Sequence, residues 1–187
     1  SISSVVLPEY REYERAMTTL IDVLVKPYCK TYLQHAADEI RAEAGEIPFL
    51  IMQSNGGVVT HATAGGKPVT MLLSGPAAGV LGAIHVAELA GHEDILTLDV
   101  GGTSTDVALI EKLAPQMTSY SNIEHYPVKT PMLDIATVGT GGGSLAWIDQ
   151  YDNLKVGPRS SGAEPGPICY GRGGTQPTVT DAALVLG

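Results

Sequence analysis

The stretch "LTLDVGGTSTDVALI", Leu96 to Ile110, decides the fold. Apolar residues cluster or alternate on both flanks, with Ile95, Leu96, Leu98 and Val100 before the turn and Val107, Leu109 and Ile110 after it. Buried strands show this pattern. Between the flanks, Gly101-Gly102 permits positive φ and leaves backbone amides uncovered. Thr103, Ser104 and Thr105 add hydroxyl donors, and Asp99 and Asp106 bracket the turn. Strands joined by so short a link are expected to lie adjacent and antiparallel, with the glycine pair at their shared tip. A plain hairpin and a cradle for phosphate both fit.

The rest of the chain limits what such a tip can serve. A length of 187 residues suits one large domain or two small ones. Hydrophobic residues make up 44% and charged residues 17%, which leaves ample material for a core. With one Phe and one Trp, that core must be built from aliphatic residues and alanine. The net charge of -9 argues against a nucleic-acid or anionic-membrane surface, since both need clustered Lys and Arg. No stretch approaches the ~20 apolar residues of a membrane helix, and the opening residues do not read as a signal peptide. Cys29 and Cys169 stand far apart without a CxxC, which fits a reducing cytoplasm better than a disulfide framework. His35, His61, His85, His92 and His125 show no HxxxH or HExxH spacing and read as surface or locally bonded residues. A start without Met and a stop inside the apolar pattern "DAALVLG" make the chain read as a piece of a longer polypeptide.

Along the chain, residues 9–44 read as helix, with Met17, Leu20, Ile21, Leu24, Tyr28, Tyr32, Ala36 and Ile40 near one packing face. Pro27 removes a hydrogen bond to Val23, so a kink or break is expected there, and Gly45 is a natural stop. Ile47 to Met52 reads as a buried strand, and "QSNGG", Gln53 to Gly57, as a turn. A strand to Leu73 is expected next, then a helix to about Ala90 with Ser74 or Gly75 as cap and Pro76 in its first turn. Ala77, Ala78, Gly79, Gly82 and Ala83 make this helix thin, so a crossing helix can approach it. After the hairpin, "KLAPQMTSY" and "HYPVKTPMLDIATV" read as strands, with Pro127 and Pro131 favouring edges. "VGTGGGSLAWID" is expected to run from strand through glycine loop into helix. The Gly/Pro-rich tail reads as an ordered excursion anchored by Ile168, Cys169, Tyr170 and Val179.

Glycine-rich loops compete for a phosphate, and none is a P-loop, because GxxxxGK[ST] is absent. "GTGGGS", Gly139 to Ser144, lacks the spacing and the downstream acid of a dinucleotide fingerprint. Exposed amides at Gly141 to Gly143 on a helix N-terminus would still attract an anion, and a structural turn fits equally well. "DVGGTSTD" carries more. Its tip can wrap a diphosphate with amides and hydroxyls, while Asp99 would hold a Mg2+-bound water. Otherwise Asp99 and Asp106 cap neighbouring amides.

The order of these pieces, a small-residue helix leading straight into the glycine hairpin, resembles the connecting helix and second phosphate hairpin of the actin-like ATPase superfamily. "MQSNGGVVT", "LLSGPAAGVLGA", "DVGGTSTDVALI", "DIATVGTGGGSLAWID" and "GAEPGPICYGRGGTQPTVTDAALVLG" together resemble the hydantoinase A / 5-oxoprolinase family, most firmly from Met52 onward. The resemblance implies an α/β lobe of the actin-like, ribonuclease H-like type, with a mixed sheet and packing helices. Residues 1–187 would be part of the family's domain, with 1–45 a long helical segment and 46–187 the lobe carrying the second phosphate hairpin.

It further implies ATP-dependent opening of a cyclic amide (hydantoin, N-methylhydantoin or 5-oxoproline) through phosphorylation of the carbonyl oxygen. ATP and Mg2+ would be the cofactors, and a hydantoinase B-type subunit or domain the partner. Gly101, Gly102, Thr103, Ser104 and Thr105 would hold phosphates, with Asp99 orienting Mg2+ or water. Gly141, Gly142 and Gly143 would border the nucleotide, and Ser74 to Gly79 would form an inter-lobe hinge. Cys169 reads as a buried structural thiol rather than a nucleophile, and Asp181 as a helix cap rather than a metal ligand. Other readings are a nucleotide-gated switch or assembly protein and a carboxylase subunit of the acetone carboxylase type. The excised piece alone is expected to be inactive.

Overall fold

The computed structural model describes residues 1–123 and 126–187; His125 lies outside them. In its first half the chain forms α1 (Ser3–Val6), α2 (Glu12–Ala44), β1 (Leu50–Met52), β2 (Val58–Thr60), α3 (His61–Gly66) and α4 (Ser74–Ala90). Then come β3 (Ile95–Val100), β4 (Thr105–Glu111), β5 (Ala114–Pro115), β6 (Met117–Thr118), β7 (Ser121–Ile123), β8 (Tyr126–Val128) and β9 (Met132–Leu133). The last elements are β10 (Ala136–Val138), β11 (Ser144–Ile148), β12 (Leu154–Ser160) and α5 (Val179–Leu186). Two compact units result: Ser1–Ile95 with Ile110–Asp134, and Leu96–Leu109 with Ile135–Gly187. Among the described residues no helix is long and apolar enough to cross a membrane.

The first unit is organised by α2, which runs unbroken through Pro27. Both Pro27 and Val23 sit on the exposed side, so water can satisfy the carbonyl that the proline leaves without a donor. The buried face also differs from the expected one. Leu20, Leu24, Tyr28 and Tyr32 are exposed, while Thr18, Asp22, Leu33 and Ala37 are buried. Two of these are polar because they work as acceptors. Thr18 Oγ1 receives the Lys129 amide at 2.9 Å, and Asp22 receives the Val69 amide at 3.3 Å with Lys26 Nζ at 3.0 Å. The adjoining core is Val6, Val69, Val128 and Met132, with Ile21, Leu72 and Leu73 packed against it. Gly45 ends the helix at φ 75°, as a C-terminal glycine should.

Downstream, the strand expected over Ile47 to Met52 shrinks to β1, whose Leu50 is exposed. It pairs antiparallel with β2 across the Gln53–Gly57 turn, in which Gly56 takes φ 83°. The strand expected to end at Leu73 is instead a 3-10 turn over Pro68–Met71. Pro68 opens it, and Thr70 closes it by donating from its amide and hydroxyl to the Lys67 carbonyl. Helix α4 then starts at Ser74 without a side-chain cap, against expectation, and ends on left-handed Gly91. The supposed hinge residues Ser74 to Gly79 lie in its first turns. Cβ atoms added at Gly79 and Gly82 would meet nothing within 4 Å, so among the described residues no crossing helix uses the thin face.

In the second unit, β3 and β4 are hydrogen-bonded neighbours, as their flanks predicted. The short Gly101–Ser104 link makes them antiparallel. Thr97 Oγ1 bridges to Ala108, accepting its amide at 3.1 Å and donating to its carbonyl at 3.3 Å. On the other side of β4, β10 pairs antiparallel, with Thr137 opposite Asp106 and Val138 opposite Thr105. The helix expected after the GTGGG loop is absent. Ser144–Ile148 is strand β11, paired antiparallel with β12. Asp149 turns that hairpin by accepting the Tyr151 and Asn153 amides, each at 2.9 Å. The cross-strand partners and the turn acid reward extension over one helical turn after a flexible loop.

Candidate functional site

The β3–β4 tip presents Gly101, Gly102 and Thr103 at the surface. Its turn closes with the Gly101 amide donating to the Ser104 carbonyl at 2.9 Å. Among the described residues, the amides of Gly102, Thr103 and Ser104 find no acceptor. Successive free amides on a tight turn form a concave patch of partial positive charge, which suits an anion. The Thr105 hydroxyl is already engaged, donating to the Thr140 carbonyl at 2.7 Å, so it fixes the turn.

The glycine loop after β10 does something different. Its register opposite Thr105 returns the chain onto the tip, where the Gly142 and Gly143 amides donate to the Gly101 and Gly102 carbonyls at 2.9 and 2.7 Å. The Gly141 amide donates to Ser144 Oγ at 2.9 Å. These amides are spent, and no helix dipole stands behind them, which corrects the anion-site reading of the loop. The glycines serve close approach instead. A Cβ on Gly141 would lie 2.5 Å from the Gly101 carbonyl oxygen and 2.8 Å from the Thr103 and Ser104 nitrogens.

The tip borders an open cleft of about 690 Å3, all of whose lining comes from the second unit. Val100 to Thr103 form one part of the lining, and Gly142, Gly143 and Thr180 another. Gly162, Ala163, Pro167, Tyr170 and Arg172 complete it, so its one charged side chain is a cation. Arg172 was not singled out in the sequence, although a lone cation between the glycines of "GRGG" was the available signal. Its guanidinium carbon stands 5.9 Å from the centroid of the Tyr170 ring. Thr180, in the first turn of α5, ties this helix to the loop by donating its amide and its hydroxyl to the Gly142 carbonyl, both at 2.8 Å.

Asp181 is the cap that the sequence predicted, forming a reciprocal box with Thr178. It also accepts the Ile168 and Cys169 amides at 3.2 and 2.8 Å, which clamps the Gly/Pro-rich arm. Burial would raise its pKa, but the Cys169 amide and the Thr178 hydroxyl hold the carboxyl well below its ordinary range. The arm is thus anchored through backbone amides, since the Ile168 and Tyr170 side chains are exposed. Cys169 is exposed as well, contrary to the buried thiol expected. Hydrogen bonding to Asp181 pushes its pKa up, which makes it a poor nucleophile.

Asp99 is exposed, its carboxylate makes no hydrogen bond among the described residues, and it stands beside the cleft-lining Val100. Asp106 is engaged by the Thr137 hydroxyl at 2.6 Å. No three His, Cys, Asp or Glu side chains gather as metal ligands among the described residues. A lone exposed carboxylate suits a water-mediated hold on a divalent cation rather than direct ligation. Of the histidines, His35, His85 and His92 are exposed, and His61 stacks on Phe49 at 5.7 Å.

Against this geometry, the family model described as hydantoinase/oxoprolinase matches residues 15–187. Caprolactamase subunit alpha of Pseudomonas jessenii is 39% identical over 183 residues, covering 97% of this chain and 26% of that protein. The crystal structure of ATP-dependent caprolactamase from that organism agrees with a TM-score of 0.82 at 38% identity, over 99% of this chain and 27% of that one. 5-oxoprolinase 1 of Arabidopsis thaliana is 38% identical over 188 residues, covering 100% of this chain and 14% of that protein. A nucleotide-free acetone carboxylase structure agrees with a TM-score of 0.77 at 28% identity, over 99% of this chain and 26% of that one. The chain therefore spans about a quarter or less of these proteins. Its α/β fold is the actin-like ATPase type of these neighbours.

Proposed function

Because the chain belongs to the hydantoinase/oxoprolinase family, we propose that it carries the phosphate-binding hairpin of an ATP-dependent enzyme that opens a cyclic amide. The observation that carries this reading is the exposed Gly101–Thr103 tip, whose Gly102 and Thr103 amides are unspent and which borders a cleft with a cationic lining. The lobe that bears this second phosphate hairpin falls within residues 46–187, the hairpin's tip lying in the second compact unit. Gly101 to Thr103 contact phosphate, Ser104 and Thr105 shape the turn, and Gly142 and Gly143 line the cleft beside the nucleotide while the Gly141–Gly143 loop braces the tip. Asp99 would hold a water of a phosphate-bound Mg2+, which would supply charge neutralisation at the phosphates.

An amide carbonyl is a poor electrophile because resonance stabilises it. Phosphoryl transfer from ATP to its oxygen, with ADP leaving, removes that protection. Water then adds to the carbon, the ring C–N bond breaks and phosphate is released, two waters being consumed overall. Binding the phosphates at preorganised amides lowers the barrier to transfer without reorganisation. The name caprolactamase subunit alpha supports a second, hydantoinase B-type subunit as partner. The two widely spaced cysteines support a cytoplasmic setting.

The test uses the full-length protein with its partner subunit, ATP and a panel of hydantoin, N-methylhydantoin, 5-oxoproline and caprolactam. One ring should stimulate ADP formation in proportion to its own opening, while the 187-residue chain alone should turn over nothing. ATP hydrolysis that no ring stimulates would overturn the reading. The likeness to acetone carboxylase favours a second reading, a carboxylase subunit. It predicts ADP formation that requires a ketone and bicarbonate instead of a ring.

A further inference from the structure

Arg172 is placed with unusual care for a surface cation. Left-handed Gly171 and Gly173, at φ 67° and 95°, flank it. The 3-10 turn Ile168–Tyr170 precedes it, closed by the Gly171 amide on the Ile168 carbonyl at 3.0 Å. The turn is held in place by Asp181 through the Ile168 and Cys169 amides. The Tyr170 ring supports the guanidinium. Such a contact costs the cation none of its donors.

The charge environment sharpens this picture. Acidic residues outnumber Lys and Arg by 20 to 11 in the sequence, and several cations are paired, as in Lys26–Asp22, Arg41–Glu46 and Lys129–Glu9. Arg172 makes no ion pair among the described residues, and the cleft it lines contains no carboxylate. Arg15, Lys30, Lys67, Lys112 and Arg159 also make no ion pair among the described residues, so what sets Arg172 apart is its place: a cation lining a cleft of free amides without a carboxylate has an anion as its natural partner.

Resting on the proposed ATP-dependent reading, we propose that Arg172 binds the polyphosphate of the nucleotide in the cleft it lines together with the Gly101–Thr103 tip. Asp181 is its positioning residue. The tip supplies neutral dipoles that favour an anion in general, whereas the fork of Arg172 adds two charge-assisted donors at one fixed place.

The experiment measures ATP, inorganic tripolyphosphate and adenosine binding by the full-length protein and by R172M, R172K, D181N and R172M/D181N. R172M should weaken ATP and tripolyphosphate about 10- to 100-fold, as loss of hydrogen bonds to a charged group does, and leave adenosine unchanged. R172K keeps the charge and should lose less. D181N should weaken ATP as well, but the double variant should bind no worse than R172M alone, because the clamp acts through the arginine. Unaltered ATP binding by R172M, or a full additional loss in the double variant, overturns the assignment while the ATP-dependent reading stands. A wild-type protein that binds neither ATP nor tripolyphosphate overturns both.

Discussion

Two glycine-rich turns meet in the second unit and use glycine for opposite purposes. The Gly101–Thr103 tip is exposed and keeps the Gly102 and Thr103 amides without acceptors, whereas Gly141 and Gly143 are buried and the loop's amides are spent, on the tip's carbonyls from Gly142 and Gly143 and on Ser144 Oγ from Gly141. The first turn offers donors to a ligand, and the second removes side chains so that one backbone can lie on another. Glycine content alone therefore does not mark a phosphate site; what marks it is which amides remain unpaired after folding.

The sharpest way to break this comparison is to add a methyl group to each turn. In G141A the new Cβ meets backbone atoms at 2.5 and 2.8 Å, and backbone cannot yield as a flexible side chain would. Thermal melting should show a loss of about 1–3 kcal/mol, as overpacking usually costs, and ATP-dependent turnover should vanish with the displaced tip. In G102A the Cβ meets nothing within 4 Å, so the melting point should hold while ATP binding weakens. Equal destabilisation by both variants would erase the distinction between the turns.

A smaller effect separates ligand chemistry from scaffolding at the tip. Asp99→Asn in the full-length protein keeps size but removes the charge proposed to hold a Mg2+-bound water. The ATP-dependent rate should fall on the order of 100-fold, with little change in melting point, since the exposed carboxylate makes no internal hydrogen bond. A normal rate with a lowered melting point would assign Asp99 to the scaffold.

The arm gives the smallest signals. Its clamp, Asp181, has a pKa depressed from the ordinary 3.8, so the stability it contributes is complete above that value and drains away as pH falls through the lower folded value. Hydrogen exchange at the Cys169 amide should therefore stay slow at pH 4 in the wild type and speed up in D181N. The raised thiol pKa predicts that exposed Cys169 reacts with iodoacetamide at pH 8 more slowly than free cysteine. D181N should restore part of that rate, and fast alkylation of the wild type would show that the carboxylate does not govern the thiol.

The hairpin was legible because its evidence is local: two apolar flanks and a glycine link leave the chain little else to form. The same holds for the Gly45 stop, the Gln53–Gly57 turn and the box between Thr178 and Asp181, whose partners lie within a few residues. The structure departs from the sequence reading where a partner outside the segment decides the outcome. "SLAWID" scans as the start of a helix until Leu154–Ser160 is available to pair with it. The buried face of α2 differs from its apolar face because Thr18 and Asp22 accept amides of Lys129 and Val69, far along the chain. Pro27 signals a kink or break in the sequence, whereas its exposed place on α2 lets the helix run through it.

The sequence by itself determined the family, the α/β class and the position of the glycine hairpin, since these reside in contiguous motifs and short-range backbone preferences. Tertiary structure alone decided which glycine amides stay free, because an amide is spent or spared according to the carbonyl brought to it by a distant strand. It also decided that Arg172, Tyr170 and Thr180 share the cleft of the Gly101–Thr103 tip. Nothing in the separate stretches "CYGRGG", "TVTDA" and "DVGGTSTD" joins them: the joining is done by Thr180 on Gly142 and by Asp181 on the amides of Ile168 and Cys169.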